Sequence, residues 1–470
     1  MKYLNVALSI TGLLLIFGVA AKSQPLKVSD NKRFLVKEDG SPFFYLADTG
    51  WELFHRLDRN EADYYLKNRA SKGFTAIQAV ILSEINGLTV PNAEGNLPLV
   101  DFDPSQPNEK YFELVDHVVQ KAEEFGLYMA LLPTWGAHAE DQPHPLFDNK
   151  MIFTESNART YGEFLGKRYK DQWNVLWILG GDRVPTDKEN IWNAMAEGLK
   201  KGAGNAHLIS YHPSGQQTSS EWFQKTNWLD FNILQSGHQR FSDNVYTRVA
   251  NDYNLTPPKP VLNGEPAYED INEWFNPANP RYNDYEIRKY AYWSVFAGAF
   301  GHTYGNNNIW QMYTADVSPI IYANMPWNEA LEQPGASQMK HLRNLMESRP
   351  FLTRIPDQSL INQENYEYAS DHMQATRNGQ PGKKDATYIM AYLPMSRDVS
   401  IKTDAIAGGN LFVWWYSPVT GEAIPYGKVK NTGVFKISTW NVFIKENQPG
   451  PDWVIVIDDA DKKYPAPGKK

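Results

Sequence analysis

Hydrophobic and polar residues follow two successive patterns along this chain. From Phe43 to Ser348, short apolar runs of strand length alternate with longer stretches whose apolar positions recur at helical spacing. Residues 43–47 predict a strand after the turn at Glu38, Asp39, Gly40 and Ser41, and residues 60–72 predict a helix stopped by Gly73. A second strand is predicted at 75–82, followed by a helix over 108–125 with Phe112, Val115, Val118, Val119, Ala122 and Phe125 on one face. Strands at 127–133, 175–179, 207–211, 232–235, 260–262 and 301–304 continue the alternation, with helices at 157–169, 189–201, 285–299 and 337–348. Eight strands alternating with amphipathic helices over about 310 residues predict a (β/α)8 TIM barrel. A doubly wound open sheet is the rival fold. It would bind a nucleotide at a Gly-rich first turn, whereas here the first strand runs into Ala47, Asp48, Thr49, Gly50 and Trp51 with no G-x-G-x-x-G.

After Pro350 the pattern changes to short β-rich runs at 387–393, 411–416, 433–437 and 453–457, separated by turns such as Gly408–Gly409 and Thr420–Gly421. This predicts a C-terminal antiparallel β-sandwich domain over 351–470, after a barrel over 24–350. No internal repeat or long linker is evident, so the two domains are expected to pack together.

The first 23 residues read as a secretory signal peptide. Lys2 supplies the positive start, residues 4–21 are almost wholly apolar, and Ala21 and Ser23 are the small residues a signal peptidase requires. A run of roughly 18 apolar residues could also serve as a signal anchor, but the small residues favour cleavage, and no cysteine follows to carry a lipid. The mature chain is expected to be exported, periplasmic or extracellular, with no membrane attachment after cleavage. Composition narrows the chemistry. The 470 residues contain no cysteine, which excludes disulfides, thiolate nucleophiles and Cys-ligated metals. The formal charge of -8 falls to -10 once Lys2 and Lys22 leave, so nothing offers a phosphate backbone a basic surface and nucleic acid is not an expected partner. Aromatic residues are abundant, with 15 Trp and 26 Tyr, more than a core of this size needs.

In a TIM barrel, functional groups project from the C-terminal ends of the strands. Those ends carry Asp48 and Trp51, Glu84, Trp135, Asp182 and Arg183, His212, Gln235 and His238, Glu265, then His302 and Tyr304. Asp182 closes the most apolar strand of the chain behind Gly180 and Gly181, and Glu265 closes the seventh strand. Carboxyls from strands four and seven face one another across a barrel mouth and can hydrolyse a glycoside, one as proton donor and the other as nucleophile or base. A single carboxylate at a strand end also serves as a helix cap or ion-pair partner; two together beside aromatics point to chemistry. Glu84 and Glu269 are rivals for either role. Asp48 reads as a hydroxyl binder, and Trp51, Trp135, Tyr304 and His302 as surfaces for sugar C–H faces and hydroxyls. Glu84, Arg183, His212 and His238 complete the substrate-binding candidates, although each histidine also fits a structural role. The stretch from His138 to His144 reads as a solvated loop rather than a metal site. No metal and no cofactor are expected. Trp192, Trp222 and Trp228 on helices, and Trp414 and Trp415 in the C-terminal domain, fit packing at least as well as glycan contact.

The runs Phe43–Phe54 and Trp177–Asp182 and the stretch Asn263, Gly264, Glu265, Pro266 resemble the apiosidase-like glycoside hydrolases of family 140, and Trp415–Gly421 is similar to the motif of their C-terminal sandwich. The resemblance covers nearly the whole mature chain. It implies cleavage of apiosyl linkages to galacturonic acid in the plant cell-wall pectin rhamnogalacturonan-II, with carboxylates at Asp182 and Glu265. The Asn-Gly-Glu-Pro stretch departs from the Asn-Glu-Pro of related barrel hydrolases, which leaves the division of roles open. By analogy with retaining enzymes, Asp182 is assigned general acid/base and Glu265 nucleophile, with carboxyls about 5 to 5.5 Å apart. The alternatives are a barrel glycosidase acting on another pectin or hemicellulose sugar, and a catalytically silent glycan-binding protein. A patch of positive charge near Arg183 is expected to offset an acidic substrate.

Overall fold

The computed structural model describes residues 24–140, 147, 150–239, 244–362, 371–395, 397–438 and 452–469. Residues 1–23, read above as a signal peptide, and residues 141–146 of the loop beginning at His138 lie outside them. Eight parallel strands form one sheet: β1 (Tyr45–Thr49), β2 (Ala76–Leu82), β3 (Tyr128–Thr134), β4 (Val175–Gly180), β5 (Ile209–His212), β6 (Asn232–Gln235), β7 (Val261–Glu265) and β8 (Gly301–Tyr304). They are hydrogen-bonded in the order β5-β4-β3-β2-β1-β8-β7-β6. Between β5 and β6 the barrel closes through Asp230, whose amide donates to the Ile209 carbonyl at 2.8 Å while its carboxylate accepts from the Ile209 amide at 2.8 Å. Strands buried on both faces read as continuous apolar runs, and β2, β3 and β4 are buried at every position.

The helices lie close to their expected positions because their ends carry local stop and start signals. Asp58 caps the helix Arg59–Ser71 by accepting from the Glu61 amide, and Thr154 and Asn283 do the same for Glu155–Tyr169 and Asp284–Phe296. Between β5 and β6 only one turn of helix forms, Ser220–Phe223. An unanticipated hairpin, Leu26–Val28 with Leu35–Lys37, packs Phe34 edge-on against Phe351 at 5.9 Å, and the nearby Gln24 carbonyl accepts from the Tyr128 hydroxyl at 2.6 Å.

The C-terminal region contains β9 (Arg354–Pro356), β10 (Gln374–Asn378), β11 (Tyr388–Leu393), β12 (Asp398–Lys402), β13 (Asn410–Tyr416), β14 (Ala423–Lys430), β15 (Val434–Ser438) and β16 (Trp453–Asp459). They make an antiparallel sheet ordered β9-β10-β11-β16-β13-β14 and a second pair, β12 with β15. Alternate residues of the large sheet serve two cores. Tyr388, Met390, Tyr392, Val454 and Val456 join the barrel core, whereas Ile389, Ala391, Leu393, Ile455 and Ile457 pack with Val399 and Ile401 of the small sheet. Trp415 belongs to that second core. The sheet is fixed to the barrel by the Asp452 carboxylate, which receives the Arg288 guanidinium at 2.9 and 3.1 Å, and by Tyr392 stacked on Tyr292 at 5.0 Å.

Candidate active site

The mouth of the barrel is shaped by a turn that needs glycine. After β4 the chain takes positive φ at three successive residues, Gly180 (82°), Gly181 (126°) and Asp182 (53°). A Cβ on Gly181 would stand 2.8 Å from the Trp135 ring, so only glycine lets the turn lie beneath that indole. Asp182, left-handed itself, is thereby set on the rim with its side chain 38% exposed. Glu265 arrives by a different device. Opposite Leu234 and Gln235 the register of β7 shifts by one residue at Gly264, so that Gln235 pairs with Glu265. The Asn263 amide therefore points to Ser236 and Ser294, both at 3.1 Å, while Glu265 enters the mouth, with only 8% of its side chain exposed. The extra glycine of the Asn-Gly-Glu-Pro stretch is accommodated in this bulge.

Two histidines flank the Glu265 carboxylate. The backbone amide of Tyr268 donates to Nδ1 of His238 at 3.3 Å, and that of Asp182 donates to Nδ1 of His212 at 3.4 Å. A backbone N–H can only donate, so each Nδ1 accepts and each Nε2 carries the proton. His238 Nε2 then donates to Oε1 of Glu265 at 3.0 Å, and His212 Nε2 lies 3.1 Å from Oε2. Burial by itself raises the Glu265 carboxyl, but the two histidines outweigh it and hold the group well below the usual carboxylate range. Asp182 moves the other way. Burial and then the negative charge of Glu265 raise it, against the lowering influence of Arg183, His212 and Gln235. One carboxyl is displaced toward holding a proton and its neighbour toward staying ionised, the pairing that acid and nucleophile require.

Both carboxyls line a cavity of about 170 Å³ walled by Trp51, Trp135, Tyr268, Phe275 and Trp310, with Glu84, Gln235 and His238 as further polar lining. Trp51 stands 5.6 Å from Trp135, edge-on to His212 at 5.5 Å, and its indole N–H donates to the Tyr268 hydroxyl at 3.1 Å. The cavity thus takes in Trp51, Glu84, Trp135, Asp182, His238 and Glu265 of the sequence candidates. His212 lies fully buried behind Glu265. Tyr268, Phe275 and Trp310 escaped the sequence reading because they sit on the loops after β7 and β8, beyond the strand ends. Tyr268 follows Glu265 by three residues, the spacing that could have found it.

Besides His212, four candidates do not line the cavity: Arg183, Asp48, His302 and Tyr304. Asp48 faces outward, where its Oδ2 accepts from the Tyr65 hydroxyl at 2.7 Å and lies 3.5 Å from Nη1 of Arg69, both on the helix behind β1. The expected strand ended at Ala47; the observed one runs through Thr49, which makes Asp48 part of the ladder rather than of the mouth. His302 and Tyr304 pair in register with Leu46 and Asp48 and share their outward face. Tyr304 donates to Glu269 at 2.5 Å, and Glu269 also accepts from the Gly335 amide at 3.0 Å, so this rival carboxylate is committed to structure. Burial pushes His302 down to about 3. The expected positive patch is not open either: Arg183 Nη1 donates to the Asp182 carbonyl at 2.8 Å, and no Lys or Arg is among the described residues lining the cavity. His138, expected on a solvated loop, is buried with Nδ1 2.8 Å from the Thr134 hydroxyl. Among the described residues no cluster of three or more His, Asp or Glu could hold a metal.

A larger cavity of about 750 Å³ lies between the helix Val245–Tyr253 and the C-terminal sheet. Size alone would favour it, but the Tyr246 ring is stacked on His372 at 3.6 Å and Tyr253 is covered by the Arg33 guanidinium at 3.9 Å, so neither is open to a sugar.

Residues 29–353 match the family model described as apiosidase-like, catalytic domain, and residues 355–458 match one named for a collagen-binding domain of a collagenase. No curated protein matches the chain. A solved glycoside hydrolase is 35% identical over 93% of this chain and 98% of its own, with a TM-score of 0.84. A crystal structure described as a glycoside hydrolase family 5 enzyme from Bacteroides vulgatus is 34% identical over 94% of this chain and 95% of its own, with a TM-score of 0.86. A third structure, also from Bacteroides vulgatus, shares the fold at 14% identity over 93% of this chain and 82% of its own, with a TM-score of 0.66. The chain, with its parallel barrel and paired carboxyls at one mouth, belongs to the apiosidase-like family and is a glycoside hydrolase.

Proposed function

We propose that the protein hydrolyses apiosyl linkages to galacturonic acid in the side chains of rhamnogalacturonan-II, with retention of configuration and after export from the cell. The observation that carries the reading is the placement of the Asp182 and Glu265 carboxyls on one aromatic-walled cavity, with Glu265 held between His212 and His238. In the first step Asp182 gives its proton to the glycosidic oxygen as that bond breaks, and Glu265 Oε2 forms a bond to the anomeric carbon. In the second, Asp182 takes a proton from water as the water oxygen displaces Glu265, which leaves ionised. His212 and His238 hold the Glu265 carboxylate in place through both steps.

The cavity supports the choice of sugar. At about 170 Å³ it is smaller than the 300–1,000 Å³ typical of drug-sized ligands, which suits one ring rather than a chain. Glu265 is ionised on its wall and no described lining residue is cationic, so a uronate would be repelled and a neutral sugar accepted. Apiose is neutral; the galacturonate then sits outside, toward the rim. A glycan-binding protein without catalysis would need the aromatic walls but not two carboxyls displaced in opposite senses.

Hydrolysis of an apiosyl-galacturonate oligosaccharide, followed by product analysis, tests the reading. Asp182→Asn and Glu265→Gln are each expected to lower kcat at least about 10²-fold. Near-normal turnover by both variants would overturn it, and methanolysis products of inverted configuration would overturn retention.

A further inference from the structure

Two loops at the barrel mouth carry backbone strain that two-carboxylate chemistry does not call for. After β7, Trp274 and Phe275 take φ of 61° and 55°, and after β8, Ile321 and Tyr322 take 47° and 57°. The left-handed region suits glycine, yet here bulky side chains, one of them β-branched, occupy it against their preference. The surroundings hold them there. The Trp274 amide donates to the His238 carbonyl at 3.3 Å, and the Phe275 amide to that of Asn272 at 2.9 Å. The Ile321 carbonyl accepts from the Asn307 side chain at 2.8 Å, and the Tyr322 carbonyl from Nη2 of Arg281 at 2.6 Å. Arg281 belongs to the first loop, so this last bond ties the two loops together.

The strained residues lead from the cavity to solvent. Phe275 and Ile321 both line the cavity, but Phe275 is 41% exposed, and Tyr322, beside Ile321, is 50% exposed. Exposed aromatic residues are ordinary when scattered singly. Two of them at the edge of one cavity, on backbone that its neighbours keep in a costly conformation, point to a ligand.

We propose that Phe275 and Tyr322 form the subsite for the sugar ring joined to the one in the cavity, the galacturonate that leaves. The inference rests on the proposed reaction and locates its leaving group. The cavity has room for one ring, so the next lies on the rim. A galacto-configured pyranose turns its C3, C4 and C5 hydrogens to one face, an apolar surface that an aromatic ring covers. Its carboxylate meets a different charge on the rim than inside. Arg281 is 26% exposed, with Asp270 Oδ1 3.4 Å from its Nη1, whereas no described residue lining the cavity is cationic. A ring held there supplies binding energy remote from the bond that breaks and fixes the glycosidic oxygen for protonation.

Tyr322→Ala and Tyr322→Gly test the subsite, the second without strain at this φ. Each is compared with wild type on the apiosyl-galacturonate oligosaccharide and on apiosyl fluoride, whose leaving group carries no ring. In both variants kcat/KM on the oligosaccharide, divided by that on the fluoride, is expected to fall about tenfold, through KM more than kcat. Phe275→Ala is expected to lower the same ratio, while Tyr322→Phe keeps the ring and with it the ratio. A role confined to loop structure would change both substrates alike. A ratio unmoved in Tyr322→Ala, Tyr322→Gly and Phe275→Ala would overturn the proposal and leave the reaction as read. Failure of the underlying reading shows separately, in the wild type: cleavage of neither substrate, or of the fluoride alone, would overturn that reading and this proposal with it.

Discussion

His212 stands between the backbone amide of Asp182 and the carboxylate of Glu265, accepting from the first at Nδ1 over 3.4 Å and presenting Nε2 to the second at 3.1 Å. One ring therefore touches both the turn that carries Asp182 and the carboxylate of Glu265. It ties β5 to β4 and β7 across the mouth, and its edge contact with Trp51 keeps it dry.

Removal of either histidine has a definite sign. Glu265 is held below its ordinary value by both, so His238→Ala or His212→Ala lets its carboxyl rise. Turnover needs Glu265 ionised, and the acid limb of the kcat/KM profile is expected to move to higher pH in each variant. The stability that the ionised Glu265 draws from its histidines is present above its unfolded value and is lost as pH falls through the folded one. In the variants that loss begins at higher pH, which acid denaturation followed by circular dichroism would read. An unmoved acid limb in both variants would remove the histidines from the machinery.

Gly181→Ala tests the turn. Its Cβ would meet the Trp135 ring at 2.8 Å, at a φ of 126° that alanine does not adopt without strain. A cost of about 1–3 kcal/mol is expected, with kcat falling at least about tenfold as Asp182 shifts. Thermal melting with single-turnover kinetics separates the two effects; a variant of normal Tm and normal kcat would show that the turn tolerates a side chain.

Much of this was legible in the sequence, and what was not failed for physical reasons. Strand β4 and its Gly-Gly-Asp ending stand out because a strand buried on both faces has no polar residue until it leaves the barrel. Glu265 was legible as a carboxyl, but the bulge that turns it inward is a pairing event with β6, invisible in one strand alone. Asp48, His302 and Tyr304 were misplaced together. All three lie within the ladder of β1 and β8, at the alternate positions that face the helices, and a strand buried on both faces gives no polar alternation from which to tell which face turns into the barrel. Tyr268 and Trp310 come from loops whose course is set by tertiary contacts such as the Asn308 amide to Asp270 at 2.7 Å. The central strands of the C-terminal sheet, β11, β13 and β16, read as apolar runs, and only the structure shows which alternate residues face the barrel.

Asp48 gives the sharpest test of that reassignment. As a hydroxyl binder its loss would raise KM; as the buried partner of Arg69 and Tyr65 its loss costs stability. Asp48→Ala leaves the Arg69 guanidinium buried without its countercharge, which is expected to cost about 3–5 kcal/mol, while kcat and KM per folded molecule stay as in wild type. Denaturant unfolding beside active-site-titrated kinetics distinguishes the two, and a raised KM at unchanged stability would return Asp48 to the site.

The barrel and the C-terminal sheet are joined by a buried charge pair whose removal has an equally clear outcome. Arg288 gives two hydrogen bonds to Asp452, at 2.9 and 3.1 Å, with both side chains wholly buried, and the Tyr392 hydroxyl donates to the same carboxylate at 3.2 Å. Arg288→Ala alone strands Asp452 in an apolar seam, at an expected cost of about 3–5 kcal/mol. Arg288→Met with Asp452→Leu removes both charges and keeps the volume, and the double variant is expected to recover most of that loss. Because the apolar half of the seam, Tyr388, Met390, Val454 and Val456, belongs to the barrel core, the two parts should unfold in one transition in wild type. Calorimetry that resolves two transitions in the wild-type chain would contradict this and make the C-terminal sheet an independent unit.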